Sequence, residues 1–328
     1  MNLDTGDTRI SLQLSPGFIS ELKALDKHRK LSEKRFLLWL AAPVLIPIPF
    51  LLGSPAFGLA WLFVVLFGLG TYIHVILKAP DEIDRRYKKI AVPEMMKQAG
   101  IEGDYALSHG LSVESFLKAG LYRERYSHFE RYDSIIGKYK GISFGLYELA
   151  VQVSGGRGGS VGMGVGVTPG YKLLTNHFYG WVMHVPVRRL SGKTYILPAN
   201  RKTKHETDDW LKEVYAHFRN SDTASVLTFD DAFDKTFHVY STKPDEALKL
   251  LQPSFRELLL RVYAGTENAP AFSFCEGRAY MHIGIRGFNF DPQKGMPYYP
   301  AHVEALNGRL RFFSAMVLAL HTAAANAN

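Results

Sequence analysis

Between Arg35 and Lys78 the chain runs for 42 residues without one Asp, Glu, Lys or Arg, as FLLWLAAPVLIPIPFLLGSPAFGLAWLFVVLFGLGTYIHVIL. A single helix crosses a bilayer with about 20 apolar residues, so this run has the length of two spans. Gly53, Ser54 and Pro55 mark a turn near its middle. The expectation is a transmembrane helical hairpin over 36–77, joined by a very short loop. Its first half contains Pro43, Pro47 and Pro49, each of which removes a helix donor. That half reads as a kinked span or as part of a re-entrant hairpin, and either form leaves both ends of the hairpin on one side. The 35 largely polar residues before the run do not fit a signal peptide.

Charge supports the same orientation. The formal net charge is +8. Residues 23–35 hold Lys23, Lys27, Arg29, Lys30, Lys34 and Arg35 against Asp26 and Glu33. Residues 78–89 hold Lys78, Arg85, Arg86, Lys88 and Lys89 against Asp81, Glu82 and Asp84. Nearly all of the excess therefore flanks the apolar run, which excludes a general nucleic-acid footprint. By the positive-inside rule both termini are cytoplasmic. His74, near the basic end of the second span, reads as an interfacial histidine. The single cysteine, Cys275, lies in the apolar stretch AFSFCEG. It cannot form an internal disulfide and reads as a small buried hydrophobe.

The remainder divides by periodicity. Residues 1–35 form a juxtamembrane segment and 78–130 a helical connector, in which Ser112 is placed to cap a short helix. From about 131 the pattern alternates: in GLYELAVQV, Tyr147, Leu149, Val151 and Val153 share one face. HFYGWVMHVPV alternates as well, and KTYILP follows a turn at Gly192 as the second arm of a hairpin. A loop over 154–170 has eight glycines, in neither of the phosphate-cradling spacings, and reads as a hairpin connector. SVLTF and TFHVYS are strand-like around Asp230–Asp234. KPDEALKLLQPSFRELLLRVYAG is a helix pair opened by Pro244 and Pro253. APAFSF and RAYMHIGI close a hairpin around CEG, and a long final helix follows. The expected fold class is α+β: the transmembrane hairpin, then a mixed helix and antiparallel-sheet cytoplasmic domain over 131–328.

Several motifs touch chemistry. GISFG, residues 141–145, matches the G-x-S-x-G nucleophile elbow, which needs a strand before the serine and a helix after it. Ser143 is followed instead by an alternating stretch, so Gly141 and Gly145 read as strand bends; Asp230 or Asp234 and then His282 would complete a triad order. SGKT at 191–194 has Val187 where a P-loop needs its first glycine. DDAFD matches a diphosphate–magnesium pattern, but Asp230 reads as a helix cap with Phe233 and Phe237 buried one turn apart. No zinc signature and no cofactor motif is present. The basic stretch RRLSGKTYILPANRKTK suits either anionic lipid headgroups or a solvated edge.

At FDDAFDKTFHVYSTKPDEALKLLQPSFRELL the chain resembles the domain of unknown function 3137 family, a bacterial family of membrane proteins without an established activity. The resemblance rests on Phe233, Phe237, Val239, Tyr240 and Ser241, then Glu246, Ala247, Leu250, Leu251, Pro253 and Phe255. Upstream it includes residues 137–148 and HFYG at 177–180. Thr242 stands where the family often has an acid. The resemblance implies a two-span anchor in the bacterial inner membrane and a cytoplasmic domain, and transfers no catalytic residues. The expected function is a membrane-anchored binding or scaffold module, whose partners are the lipid bilayer and a protein or anionic lipid headgroups. The alternative is a membrane-tethered hydrolase using Ser143, or a metal site at Asp230 and Asp234.

Overall fold

The structure is a computed structural model and describes residues 12, 14–45, 82–107, 109–121, 128–154, 174–188, 190–199, 218, 222–266, 269–284, 290–292 and 296–327. The chain divides into two compact units. One comprises 1–9, 96–289 and 307–328, the other 10–95 and 290–306.

The larger unit is organised by a nine-stranded sheet. Its strands are β1 (Ile101–Leu107), β2 (His128–Tyr139), β3 (Ile142–Ser154), β4 (Leu174–Pro186), β5 (Thr194–Pro198), β6 (Ala224–Val226), β7 (Phe237–Ser241), β8 (Ala271–Cys275) and β9 (Arg278–Gly284). Their order is β1-β2-β3-β4-β9-β8-β5-β7-β6, and every pairing is antiparallel. Two hairpin turns place both central residues in the left-handed region: Lys140 and Gly141 at φ 49° and 80°, Glu276 and Gly277 at 52° and 74°. Both fit the twist-matched two-residue turn, and the second is the hairpin expected around CEG.

Alternation assigns the two faces of this sheet. On one, Leu149, Val151, Phe178, Val182 and Leu197 pack beneath Leu111, Phe116, Leu121 and Phe218. Phe116 belongs to a one-turn helix, α3 (Val113–Leu117), capped by Ser112 as the sequence indicates. The opposite face is covered by longer helices, α6 (Pro253–Gly265) and α7 (Val303–Asn326). Trp181 meets Phe313 with ring centroids 5.8 Å apart, Phe274 meets Phe255 at 6.2 Å, and Phe237 meets Tyr263 at 5.5 Å. Two shorter helices, α4 (Asp231–Thr236) and α5 (Pro244–Leu250), frame β7. Pro244 and Pro253 open their helices where no backbone donor is needed.

One strand pairing differs from the sequence reading. β5 does not form a hairpin with β4. It lies between β7 and β8, while β4 is flanked by β3 and β9. All five β5 residues are buried, so this strand belongs inside the sheet, with neighbours on both sides. Residues 101–107, read as part of a helical connector, form the edge strand β1. The glycine-rich loop falls almost wholly outside the described residues.

The expected transmembrane hairpin is corrected. Among the described residues no helix is long and apolar enough to cross a membrane. The first helix, α1 (Pro16–Leu45), includes only ten residues of the uncharged run. Ten residues rise about 15 Å, half of the roughly 30 Å hydrocarbon core. The remaining residues of the run, 46–77, and His74 with them, lie outside the described residues. A multi-pass location in the bacterial inner membrane, deduced from that hairpin, falls with it.

The basic flanks also have another use. In the smaller unit Arg29 of α1 is buried. It donates to the Met296 carbonyl at 2.7 Å and to Asp26 at 3.0 Å, and lies 4.4 Å over the Tyr298 ring. Helix α2 (82–98) supplies Tyr87, stacked 4.3 Å from Tyr298, and Lys88, paired with Asp291 at 2.7 Å. The Tyr298 hydroxyl donates to Asp84 at 2.8 Å. Burial raises the pKa of Asp84 and of Tyr298. His302 Nε2 lies 3.1 Å from the Asp291 carbonyl, an acceptor, so Nε2 bears the proton. Its Nδ1 then accepts from Tyr87 at 2.5 Å. Charges counted from sequence as membrane flanks thus hold three chain segments together.

Candidate interaction surface

The register of five neighbouring strands brings one row of side chains together. Ile136 pairs with Gly145, Gly145 with His184, and His184 with Tyr280. One pair further on, Lys138 faces Ser143 and Pro186 faces Arg278. On β1, Asp104 and Glu102 oppose Ile136 and Lys138. Directly paired residues share a face. All of these therefore lie on the face whose other end is covered by α3; within the row Gly145 and Tyr280 are buried, and its outer members stand at an open end. Ile136 is 57% exposed there, and Lys138, Ser143 and Arg278 are exposed as well.

Arg278 is held by neutral groups. Its Nη1 lies 2.9 Å from His184 Nδ1 and 3.4 Å from Nε2, and the shorter contact makes Nδ1 the acceptor. A guanidinium has no acceptor, so that ring nitrogen is unprotonated and Nε2 bears the hydrogen. Nε2 lies 3.3 Å from the Tyr147 hydroxyl, which accepts and keeps its own proton for a further acceptor. Burial, with Arg278 beside it, pushes the His184 pKa down to about 4. Burial likewise raises Tyr147. Gly145 is the floor under this pair. A Cβ there would stand 2.6 Å from Tyr147 Cε2 and 2.8 Å from His184 Nε2, closer than real side chains approach.

The arrangement offers a full positive charge and an exposed Ile. Among the described residues no carboxylate lies within ion-pair distance of Arg278. This chemistry binds an acceptor anion such as a carboxylate. It does not supply a general base, because the free lone pair of His184 is already spent on Arg278.

The residues singled out from sequence are placed as follows. Ser143 is the second residue of β3, exposed, inside a strand that continues for eleven more residues. The strand-to-helix turn of an elbow is absent at this position. His282 is fully buried between Phe116 and Phe178, with centroids at 5.6 and 5.7 Å, and burial pushes its pKa down to about 3. Asp230 caps α4 by accepting from Phe233 N at 3.2 Å. Asp234 turns back to accept from Thr228 N at 3.1 Å and its hydroxyl at 2.8 Å. The structure therefore does not aim the two carboxylates at one shared point. Among the described residues no group of His, Cys, Asp or Glu could hold a metal.

Cys275 donates to the Lys118 carbonyl at 3.1 Å, and burial pushes its pKa up to about 12. It stays a thiol. In SGKT, the Ser191 and Gly192 amides donate to Glu246 at 2.8 and 2.6 Å. A side chain from α5 thus occupies the donors that a phosphate would need. In the basic stretch, residues 194–198 are the buried strand β5, while Arg189, Arg201, Lys202 and Lys204 lie outside the described residues.

Sequence reasoning missed His184, Arg278 and Ile136. One signal was available: a glycine inside a strand, two residues before a same-face tyrosine, marks a close approach.

Residues 176–320 match a family model described as "Protein of unknown function (DUF3137)". The match supports the resemblance read from sequence and includes both His184 and Arg278. No curated protein matches the chain. Among solved structures the chain is similar to the mycobacterial trehalose monomycolate transport factor A, TtfA. Identity is 11%, over 72% of this chain and 95% of that one, with a TM-score of 0.35. A likeness at that score carries no argument about this protein.

Proposed function

We propose that the nine-stranded unit is a protein-binding module. A partner segment lies across the open end of the α3-covered face, with an apolar contact at Ile136 and a carboxylate on Arg278. One observation carries this reading: an exposed arginine, oriented by a neutral imidazole, stands on the same open face as an exposed Ile. A cation compensated by a buried carboxylate would have little left to offer; this one keeps its charge. Orientation by His184 and Tyr147 also lowers the entropy lost on binding.

The test is a photo-crosslinking amino acid at position 136 of the full chain, in cells, with and without Arg278→Gln. The expected adduct is a polypeptide whose linked peptide contains Asp or Glu, and its yield falls several-fold in the variant. An adduct of lipid mass, or a yield indifferent to Arg278, contradicts the reading.

A further inference from the structure

Phe229 is 90% exposed and its neighbour Leu227 63%. Its backbone stands at φ 60°, a left-handed conformation that bulky L-residues rarely adopt. Side chains hold it there from both directions. Both Asp234 oxygens accept from Thr228 N at 3.1 Å, and the Thr228 hydroxyl donates to one of them at 2.8 Å. Arg256 Nη1 donates to the Thr228 carbonyl at 2.9 Å. On the other side Asp230 caps α4. The fold spends two carboxylates and an arginine on a conformation that leaves an aromatic ring in water. Strain maintained at a pinned position points to use.

The same unit carries a groove of about 160 Å³ between the start of α6 and the end of α7. Leu250, Phe255, Leu258, Ala319 and Ala323 form its apolar part, and Gln252, Ser254, Thr322 and Asn326 its polar part, with Asn326 Nδ2 donating to Gln252 Oε1 at 3.3 Å. An apolar cavity of about 150 Å³ accepts one benzene, so the groove has the size of one phenyl ring.

We propose that the chain self-associates by seating Phe229 of one copy in this groove of another. The small side chains Ala319 and Ala323 leave the space, and the pinned backbone presents the ring without an ordering cost. Knob and groove are different surfaces, so the contact is heterologous. One aromatic ring buries about 150–250 Å², well below the roughly 1,200 Å² of a stable interface. The association is therefore weak and rises with concentration.

Sedimentation velocity of the full-length chain over about 10 μM to 1 mM, a range that spans weak binding, is the test. Wild type should sediment faster as concentration rises, and Phe229→Ser should stay monomeric. Plugging the groove with Ala319→Trp, or with Thr322→Trp if the first variant does not fold, should do the same. An equimolar mixture of Phe229→Ser with the plugged variant should form a 1:1 pair, because each retains the half that the other lacks. Phe229→Gly should remain monomeric while melting about 2–4 °C higher, through relief of the strain. A wild type monomeric throughout, single variants that associate like wild type, or a mixture that does not pair would each overturn the proposal.

Discussion

Gly145→Ala separates the two meanings of GISFG. In an ordinary strand, replacing glycine by alanine gains about 0.5–1 kcal/mol, because the unfolded chain loses freedom. Here the added methyl would meet Tyr147 Cε2 at 2.6 Å and His184 Nε2 at 2.8 Å. Both rings are packed, so relief requires tilting the pair. Overpacking of this kind costs about 1–3 kcal/mol. Weakening the Tyr147–His184 and His184–Arg278 hydrogen bonds adds about 0.5–1.5 kcal/mol for each bond lost. The clash outweighs the propensity gain, and net destabilisation of about 1–5 kcal/mol is expected, the upper end applying if both hydrogen bonds are lost. Urea denaturation followed by tryptophan fluorescence measures it, since Trp181 is fully buried in the same sheet. The decisive comparison repeats the substitution in a Tyr147→Ala background. There the Tyr147 ring is gone, His184 can tilt into the space it leaves, and Gly145→Ala should cost clearly less than in the wild-type background. Equal effects in both backgrounds, or stabilisation in the wild-type background, would refute the floor argument.

Three further outcomes follow from the packing and the titrating groups. Ser143→Ala should change stability by less than about 0.5 kcal/mol, as for an exposed position, and a fluorophosphonate probe should leave wild type unlabelled; labelling that vanishes in Ser143→Ala restores the hydrolase reading. Phe237→Ala should cost about 3–5 kcal/mol, because its ring is buried against Phe233 and Tyr263; a loss below 1 kcal/mol contradicts that packing. The folded pKa of His184, near 4, lies below the usual 6.5. The unfolded chain therefore binds the proton first, and stability should fall as pH drops from about 6.5 towards 4. His184→Gln keeps an acceptor for Arg278 and should flatten part of that fall; an unchanged slope contradicts it. His282, buried with its pKa near 3, adds to the fall in the same direction.

What could be read from the sequence depended on whether the signal was local. The alternation of β3 and β4, the CEG hairpin, the proline-opened helices and the Asp230 cap are each specified within a few residues, and all are present. β5 was misplaced because a strand buried on both faces has no alternation to read, and its partners β7 (Phe237–Ser241) and β8 (Ala271–Cys275) come much later in the chain. β1 was missed because Glu102, Gly103 and Asp104 put three exposed polar or glycine positions in a row and interrupt the alternation of Ile101–Leu107. The basic clusters were read by charge count alone. Burial turns Arg29 and Lys88 into packing elements that a count cannot distinguish from solvated flanks. The candidate interaction surface is the least local feature of all. Ile136, His184 and Arg278 come from three strands and meet only through sheet register.

Arg278 is proposed to read a partner's charge, and a charge reversal tests this directly. The full chain and its Arg278→Glu variant should each be used to select ligands from the same displayed library of random peptides. The wild type should enrich peptides that combine an apolar residue with Asp or Glu. The variant should replace that acid with Lys or Arg while keeping the apolar position set by Ile136. Identical selections from the two proteins, or no enrichment of acidic residues by the wild type, would contradict the claim that this open end of the sheet is the binding surface.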